Sequence, residues 1–103
     1  MEENKVLDTN ILIPGERGLT TIINILEFPP ALDKCHAIVP ERQDFEMALN
    51  IAIMLRDAGN PIPVSDIMIS SICINRDLTL KTMDSHFNAV KSIFPSFKLE
   101  IKN

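Results

Sequence analysis

The stretch VLDTNILI at residues 6–13 guides the interpretation of the whole sequence, because it sets one acid inside an otherwise apolar run. Its apolar ends predict a buried β-strand with polar residues toward its C-terminal end. An acidic side chain is rarely buried in such a strand without a partner, since removing a charge from water is costly. Asp8 is therefore the first candidate site residue.

Short strands and helices alternate along the rest of the chain. Period-two or short apolar runs predict strands, whereas apolar residues at helical spacing predict helices. Strands are expected at residues 19–22, 37–39, 78–82 and 97–101, and helices at residues 24–27, 45–55, 67–75 and 87–94. This alternation is typical of a doubly wound α/β domain, in which a mainly parallel sheet is covered by helices on both faces.

Two of the predicted helices have recognisable starts. Asp44 is placed to cap the helix at residues 45–55. Ser65 is a natural N-cap for the helix at residues 67–75, so Asp66 falls in its first turn, where a negative charge is favoured by exposed N–H groups. Asp66 thus lies at a helix start.

Composition indicates one globular domain spanning residues 1–103, because the length suits a single core and 46% of the residues are hydrophobic. The opening MEENKVLDTN is unlike a secretory signal, and no apolar run reaches the roughly 18 residues of a membrane span. We therefore expect a cytoplasmic protein without a membrane role, whose Cys35 and Cys73 are reduced.

Four acids are predicted to converge on one rim of the sheet. Asp8 and Asp84 follow strands, while Glu27 and Asp66 lie near helix starts, and such positions meet at the carboxyl edge of a parallel sheet. Carboxylates this close repel one another unless a cation holds them ionised. Mg²⁺ or Mn²⁺ suits such oxygen ligands.

The net charge of the chain, -4, argues against nonspecific nucleic-acid binding. A divalent cation bound by the acids would cancel two of those charges locally.

Four motifs stand in order along the chain: VLDTNILI at 6–13, LTTIINILEF at 19–28, PIPVSD at 61–66 and LTLKTMDSHF at 78–87, the last with the pattern T-x-D-x-x-F. In this order they resemble the motifs of the PIN-domain family. The resemblance implies a five-stranded parallel sheet and endoribonuclease activity, as in VapC-type toxins of toxin–antitoxin pairs.

The same resemblance assigns roles to individual residues. It implies Mg²⁺ or Mn²⁺ held by Asp8, Glu27, Asp66 and Asp84, with RNA as substrate and an antitoxin as partner. It also implies that Asn10 and Thr82 hydrogen-bond to the ligands.

Each acid has a plainer interpretation when taken alone. Asp66 and Asp84 are also typical helix-terminal acids, and Glu27 is also typical of a solvated helix. His36 and His86 lack the paired spacing of a zinc site.

Two other functions compete with the nuclease. One is a non-catalytic PIN-like interaction module. The other is a phosphoacceptor domain, which is weaker because Lys81 and Asp84 lack the expected pattern.

The chain departs from the family between its first two strands, where the family places a helix. Only residues 14–18 separate the predicted strand end from Leu19, and a parallel crossover usually needs about a dozen residues. This predicts either a missing segment or a taut, helix-free connection that leaves an apolar sheet face bare. A bare face would be buried by a second copy or by another partner, so a homo-oligomer is expected.

Overall fold

The computed structural model describes residues 4–103 of the chain. Within this range the strands are β1 (Lys5–Leu7), β2 (Gly18–Thr21), β3 (Cys35–Ile38), β4 (Thr79–Thr82) and β5 (Lys98–Ile101). The helices are α1 (Thr9–Leu12), α2 (Ile22–Glu27), α3 (Arg42–Asp57), α4 (Val64–Arg76) and α5 (Asn88–Ile93), with 3-10 turns at Pro29–Asp33 and Ser85–Phe87. Every pair of neighbouring strands is parallel, in the order β3-β2-β1-β4-β5. The predicted five-stranded parallel α/β sheet is confirmed, with β5 at its edge.

Side chains alternate between the two faces of the sheet, and both faces pack against helices. Val6 and Leu80 point to the face covered by α3, α4 and α5, where they join a core that includes the fully buried Ile69. Leu7 points to the opposite face and packs with Ile25 and the apolar residues of α1. The doubly wound arrangement expected from the sequence is therefore present. No helix within residues 4–103 is long and apolar enough to cross a membrane.

A buried ion pair joins the start of α3 to the end of α4. Asp44 accepts hydrogen bonds from Arg76 at 2.8 Å and 3.0 Å, and from the backbone N–H of Glu41 at 2.7 Å. Burial acts to raise the pKa of Asp44, but the hydrogen bonds from Arg76, Glu41 and Asn75 outweigh it and the pKa is lowered. The prediction that Asp44 is the N-cap was wrong by one turn, because the helix begins after Glu41.

The start of α4 also differs from the prediction. The carbonyl of Pro63 accepts hydrogen bonds from the backbone N–H groups of Asp66 and Ile67, both at 3.1 Å. Pro63 is therefore the N-cap, and Ser65 lies inside the first turn. Asp66 remains in that turn, as expected.

The first crossover is the main correction to the sequence analysis. β1 ends at Leu7, and residues 11–13 do not continue the strand, because the Asp8 side chain accepts from the N–H of Thr9 and starts α1. The connection to β2 is therefore residues 8–17, and it includes one helical turn. β2 still pairs with β1 in parallel, with Val6 opposite Leu19. The prediction of a helix-free connection was wrong, because short apolar runs suit a buried helical turn as well as a strand.

The predicted bare apolar face is also absent from the described part of the chain. On the side reached by this crossover, α1 and α2 cover Leu7. The rest of that face, across β4 and β5, carries ion pairs such as Lys5 with Glu100 at 2.6 Å and Lys81 with Glu16 at 3.0 Å. A face of this kind is compatible with solvent.

Candidate functional site

The Asp8 carboxylate is held by three separate elements at the carboxyl end of the sheet. Its Oδ1 accepts hydrogen bonds from the N–H of Thr9 and from Nδ2 of Asn24, both at 2.8 Å. Its Oδ2 accepts from Oγ1 of Thr82 at 2.7 Å. Asp8 is only 5% exposed, and burial raises its pKa. The hydrogen bonds from Thr82, Thr9 and Asn24 act in the opposite direction, while the charge of Glu27 adds to the increase.

Asn10 and Thr82 connect Asp8 to the segment that follows β4. Thr82 Oγ1 accepts from the N–H of Asp84 at 3.0 Å, and Asn10 Oδ1 accepts from the N–H of Met83 at 3.0 Å. Nδ2 of Asn10 lies 3.4 Å from Thr82 Oγ1 and 3.5 Å from Asp8 Oδ2. Both residues that were expected to support the ligands thus lie beside Asp8.

Glu27 is linked to Asp8 through two intermediate side chains. Thr9 Oγ1 donates to Glu27 Oε1 at 2.6 Å and accepts from Asn24 Nδ2 at 3.0 Å. Glu27 is the last residue of α2, so its predicted position near a helix start was wrong. The error arises because α2 is only six residues long and begins directly after β2.

Asn24 is a site residue that the sequence analysis missed. Its side chain is fully buried, and its Oδ1 accepts from Thr21 Oγ1 at 2.7 Å. The signal was present, since Asn24 is a single polar residue within the apolar run IINIL at 22–26. Like Asp8, Asn24 is a polar group inside an apolar segment, and such a group needs hydrogen-bond partners when it is buried.

Asp66 and Asp84 meet at a third side chain, His86. Asp84 caps the 3-10 turn at Ser85–Phe87, with its Oδ1 accepting from the N–H of His86 at 2.9 Å. The Nδ1 atom of His86 lies 3.2 Å from Oδ2 of Asp84 and 3.6 Å from Oδ2 of Asp66. One ligand atom from each of the three residues lies within 4.8 Å of the others. Spacing along the chain does not indicate a role for His86, because Asp66 is 20 positions away in the sequence and comes close only in the fold.

The pair Asp8 and Glu27 is electrostatically coupled to the pair Asp66 and Asp84. Burial raises the pKa of Asp66 to about 6, with further contributions from the charges of Asp8 and Asp84, while His86 acts to lower it. The pKa of Asp8 is in turn raised partly by the charge of Glu27. The structure therefore brings all four predicted acids together at one end of the sheet.

This arrangement has the chemistry of a divalent-cation site. Carboxylate oxygens are hard ligands that suit Mg²⁺ and Mn²⁺. A cation would offset both the burial of Asp66 and the repulsion from Asp8 and Asp84, which together raise its pKa. Asp8 is oriented by fixed hydrogen bonds, as ligands in metal sites usually are. Asp66 and Asp84, with His86, place their ligand atoms close enough to share a cation. Asp8 is coupled to this group through its charge on Asp66, and Glu27 is linked to Asp8 through Thr9 and Asn24.

Three solved structures of VapBC proteins are similar to this chain. VapBC-1 from nontypeable Haemophilus influenzae aligns at 16% identity with a TM-score of 0.75, covering 94% of this chain and 96% of that chain. VapBC-5 from Mycobacterium tuberculosis, a member of the VapBC family of toxin–antitoxin systems, aligns at 18% identity with a TM-score of 0.74, covering 95% and 97%. VapBC2 from Rickettsia felis, bound to a DNA fragment from their promoter, aligns at 17% identity with a TM-score of 0.77, covering 96% and 98%.

These similarities extend along nearly the whole chain, and at this level of identity they show the fold. The fold implied by the PIN-domain resemblance is thereby confirmed. No protein-family model matches the sequence, and no curated protein matches it.

Proposed function

We propose that this protein is a Mg²⁺- or Mn²⁺-dependent endoribonuclease that cleaves RNA phosphodiester bonds in the cytoplasm, as the toxin of a toxin–antitoxin pair. The observation that carries the proposal is the convergence of Asp66 and Asp84, which each offer a ligand atom to one group within 4.8 Å. Burial, together with the charges of Asp8 and Asp84, raises the pKa of Asp66 to about 6. Surface acids that serve only solubility do not need a fixed hydrogen-bond network like the one around Asp8. The similarity to VapBC structures supports the same class of protein.

The residues at the site would have two roles, which are to hold the cation and to orient its ligands. A bound divalent cation supplies a more acidic water and neutralises charge on the phosphoryl oxygens. Asp8, with Glu27, Asp66 and Asp84, would hold the cation directly or through water. Thr82 and Asn24 keep the Asp8 carboxylate in one orientation, which removes the cost of ordering it when the cation binds.

The direct test is cleavage of a panel of RNAs by the purified protein, with Mg²⁺, with Mn²⁺ and with a chelator. Asp8→Asn removes a ligand charge at nearly constant size, so cleavage should fall by about 100-fold or more if Asp8 holds the metal. Asp33→Asn is the matched control, because Asp33 is an exposed acid just before β3, at the amino edge of the parallel sheet and therefore opposite the carboxyl edge that carries Asp8. Equal cleavage by wild type and Asp8→Asn, or cleavage that persists in chelator, would contradict the proposal.

A protein partner of the antitoxin type is part of this proposal. Leu26 and Val64 are each 75% exposed and lie within two residues of Glu27 and Asp66. A protein bound over the acids would bury both of these side chains. A partner that covered them would also block access to the acids.

The same exposed side chains favour the alternative function, a non-catalytic interaction module. In that case the acids would hold a structural cation or none, and the partner interface would be the function. The cleavage panel separates the two, since a module binds partners without metal-dependent cleavage.

Self-association is proposed through α3 and not through the sheet. Phe45, Leu49 and Ile53 are 58%, 62% and 51% exposed, and their spacing of four residues aligns them along one side of the helix. A two-fold axis near Leu49 would set Phe45 of one copy against Ile53 of the other. The exposed charges of the helix are two positive and two negative, so two copies would not repel strongly: Arg42, Arg56, Glu46 and Asp57.

A further inference from the structure

His86 introduces a nitrogen donor into a group of oxygen ligands. Its Nδ1 atom faces the Oδ2 atom of Asp84, which follows β4, and the Oδ2 atom of Asp66, which lies at the start of α4. The two carboxylates thus come from different elements. The two distances, 3.2 Å and 3.6 Å, leave the three ligand atoms within 4.8 Å of one another.

The position of His86 is set by the fold on both sides of it. Before it, Asp84 Oδ1 accepts the backbone N–H of His86 at 2.9 Å, so the turn cannot rotate without losing that bond. After it, Phe87 is fully buried in the main core. The backbone that carries the imidazole is thus anchored at each end, even though the side chain itself is 57% exposed.

A nitrogen donor changes which cation such a site prefers. Mg²⁺ takes oxygen ligands almost exclusively, whereas imidazole nitrogen is a good ligand for Mn²⁺ and for the later first-row metals. Four carboxylates alone would discriminate weakly between Mg²⁺ and Mn²⁺. One imidazole in the set would favour Mn²⁺.

We propose that His86 is a ligand of this site together with Asp66 and Asp84, and that it makes the site select Mn²⁺ over Mg²⁺. The inference rests on the proposed function in taking the acids as a metal site. It goes further by assigning a ligand that the acids do not supply and a preference among cations.

The competing account is that His86 is only a neighbour of the two acids and no ligand. A divalent ion would then displace it, and removal of the imidazole would leave the ratio of Mn²⁺ to Mg²⁺ affinity unchanged. The two accounts therefore differ in a ratio of affinities, which does not depend on whether RNA is cleaved.

The test is calorimetric titration of the metal-free full chain with Mn²⁺ and, separately, Mg²⁺, for wild type, His86→Ala and the control His36→Ala, whose imidazole is exposed on β3. Loss of an outer partner of a ligand typically costs about 10- to 100-fold in metal affinity, so loss of a direct ligand should cost at least about tenfold for Mn²⁺. The affinity for Mg²⁺ should change by less than about threefold. His36→Ala should match wild type for both ions.

Pulsed electron paramagnetic resonance of bound Mn²⁺ gives a second readout. Protein labelled with ¹⁵N-histidine should show nitrogen coupling to the ion in wild type and His36→Ala, and none in His86→Ala. Absence of that coupling in wild type, or an equal loss of Mn²⁺ and Mg²⁺ affinity in His86→Ala, would overturn the assignment. Nitrogen coupling without RNA cleavage would support His86 and contradict the nuclease, whereas no divalent binding by wild type would contradict both.

Discussion

The hydroxyl of Thr82 donates a 2.7 Å hydrogen bond to Oδ2 of Asp8, joining two residues that are 74 positions apart in the sequence. The same oxygen of Thr82 accepts the backbone N–H of Asp84. One threonine at the end of β4 therefore orients one proposed ligand and positions the segment that carries another.

Replacing Thr82 by valine should weaken the site while keeping its shape. The hydrogen bond to a buried carboxylate is lost, so we expect the free energy of unfolding to fall by about 1.5–3 kcal/mol and metal affinity to fall about tenfold or more. Denaturant unfolding and calorimetric metal titration measure the two effects. Thr79→Val, on the opposite face of the same strand, is the control, and an unchanged metal affinity in Thr82→Val would show that Thr82 does not support the site.

The ion pair between Asp44 and Arg76 should matter for stability and not for the site. Asp44→Asn removes the nearer charge partner of Arg76 and leaves only Glu41 at 4.0 Å, and breaking such a buried pair costs about 3 kcal/mol. Arg76 lies ten residues along α4 from Asp66, about 15 Å at 1.5 Å per residue, so metal affinity should be unchanged under native conditions. Thermal unfolding and metal titration of the same samples check both parts, and a parallel loss of metal affinity would contradict the separation.

The stabilising effect of Asp44 should depend on pH in the acid range. Because the folded protein lowers the pKa of Asp44, its contribution is complete above the ordinary carboxyl pKa and is lost as the pH falls through the lower folded value. The difference in unfolding free energy between wild type and Asp44→Asn should therefore shrink as the pH is lowered below about 4. A constant difference from pH 7 to pH 2 would contradict the lowered pKa.

The charge of Asp66 should change stability with pH in the opposite direction to that of Asp44. The folded protein raises its pKa to about 6, so between about pH 4 and pH 6 the folded state binds more protons than the unfolded chain. Stability of the metal-free protein should fall as the pH rises through this window and then level off. Asp66→Asn should therefore raise the metal-free melting temperature at pH 7.5 more than at pH 4.5, as measured in chelator. An equal effect at both values would show that the Asp66 charge carries no penalty.

The exposed stripe on α3 should mediate self-association. Leu49→Lys sets a charge at its centre, so light scattering at micromolar concentration should show a dimer for wild type and a monomer for this variant. Asn50→Lys adds the same charge on the same helix beside the stripe and should remain dimeric. If the wild type is a monomer at all micromolar concentrations, the proposed self-association is contradicted.

The sequence by itself determined the parallel α/β sheet, because strand and helix periodicity are local patterns repeated along the chain. It also marked Asp8 and Asp84 at strand ends, since the acids directly follow apolar runs. The predicted end of β1 was also wrong for a local reason. Residues 11–13 are apolar throughout, and so short a run does not distinguish a strand from the buried side of a helical turn.

Only the tertiary structure decided what surrounds the acids. The contacts of Asp8 with Asn24 and Thr82, and of Asp66 with His86, join residues 16, 74 and 20 positions apart. No periodicity within one element contains such a relationship. It exists because the carboxyl ends of parallel strands and the starts of neighbouring helices meet at one edge of the sheet, which places polar groups from distant segments within hydrogen-bonding distance.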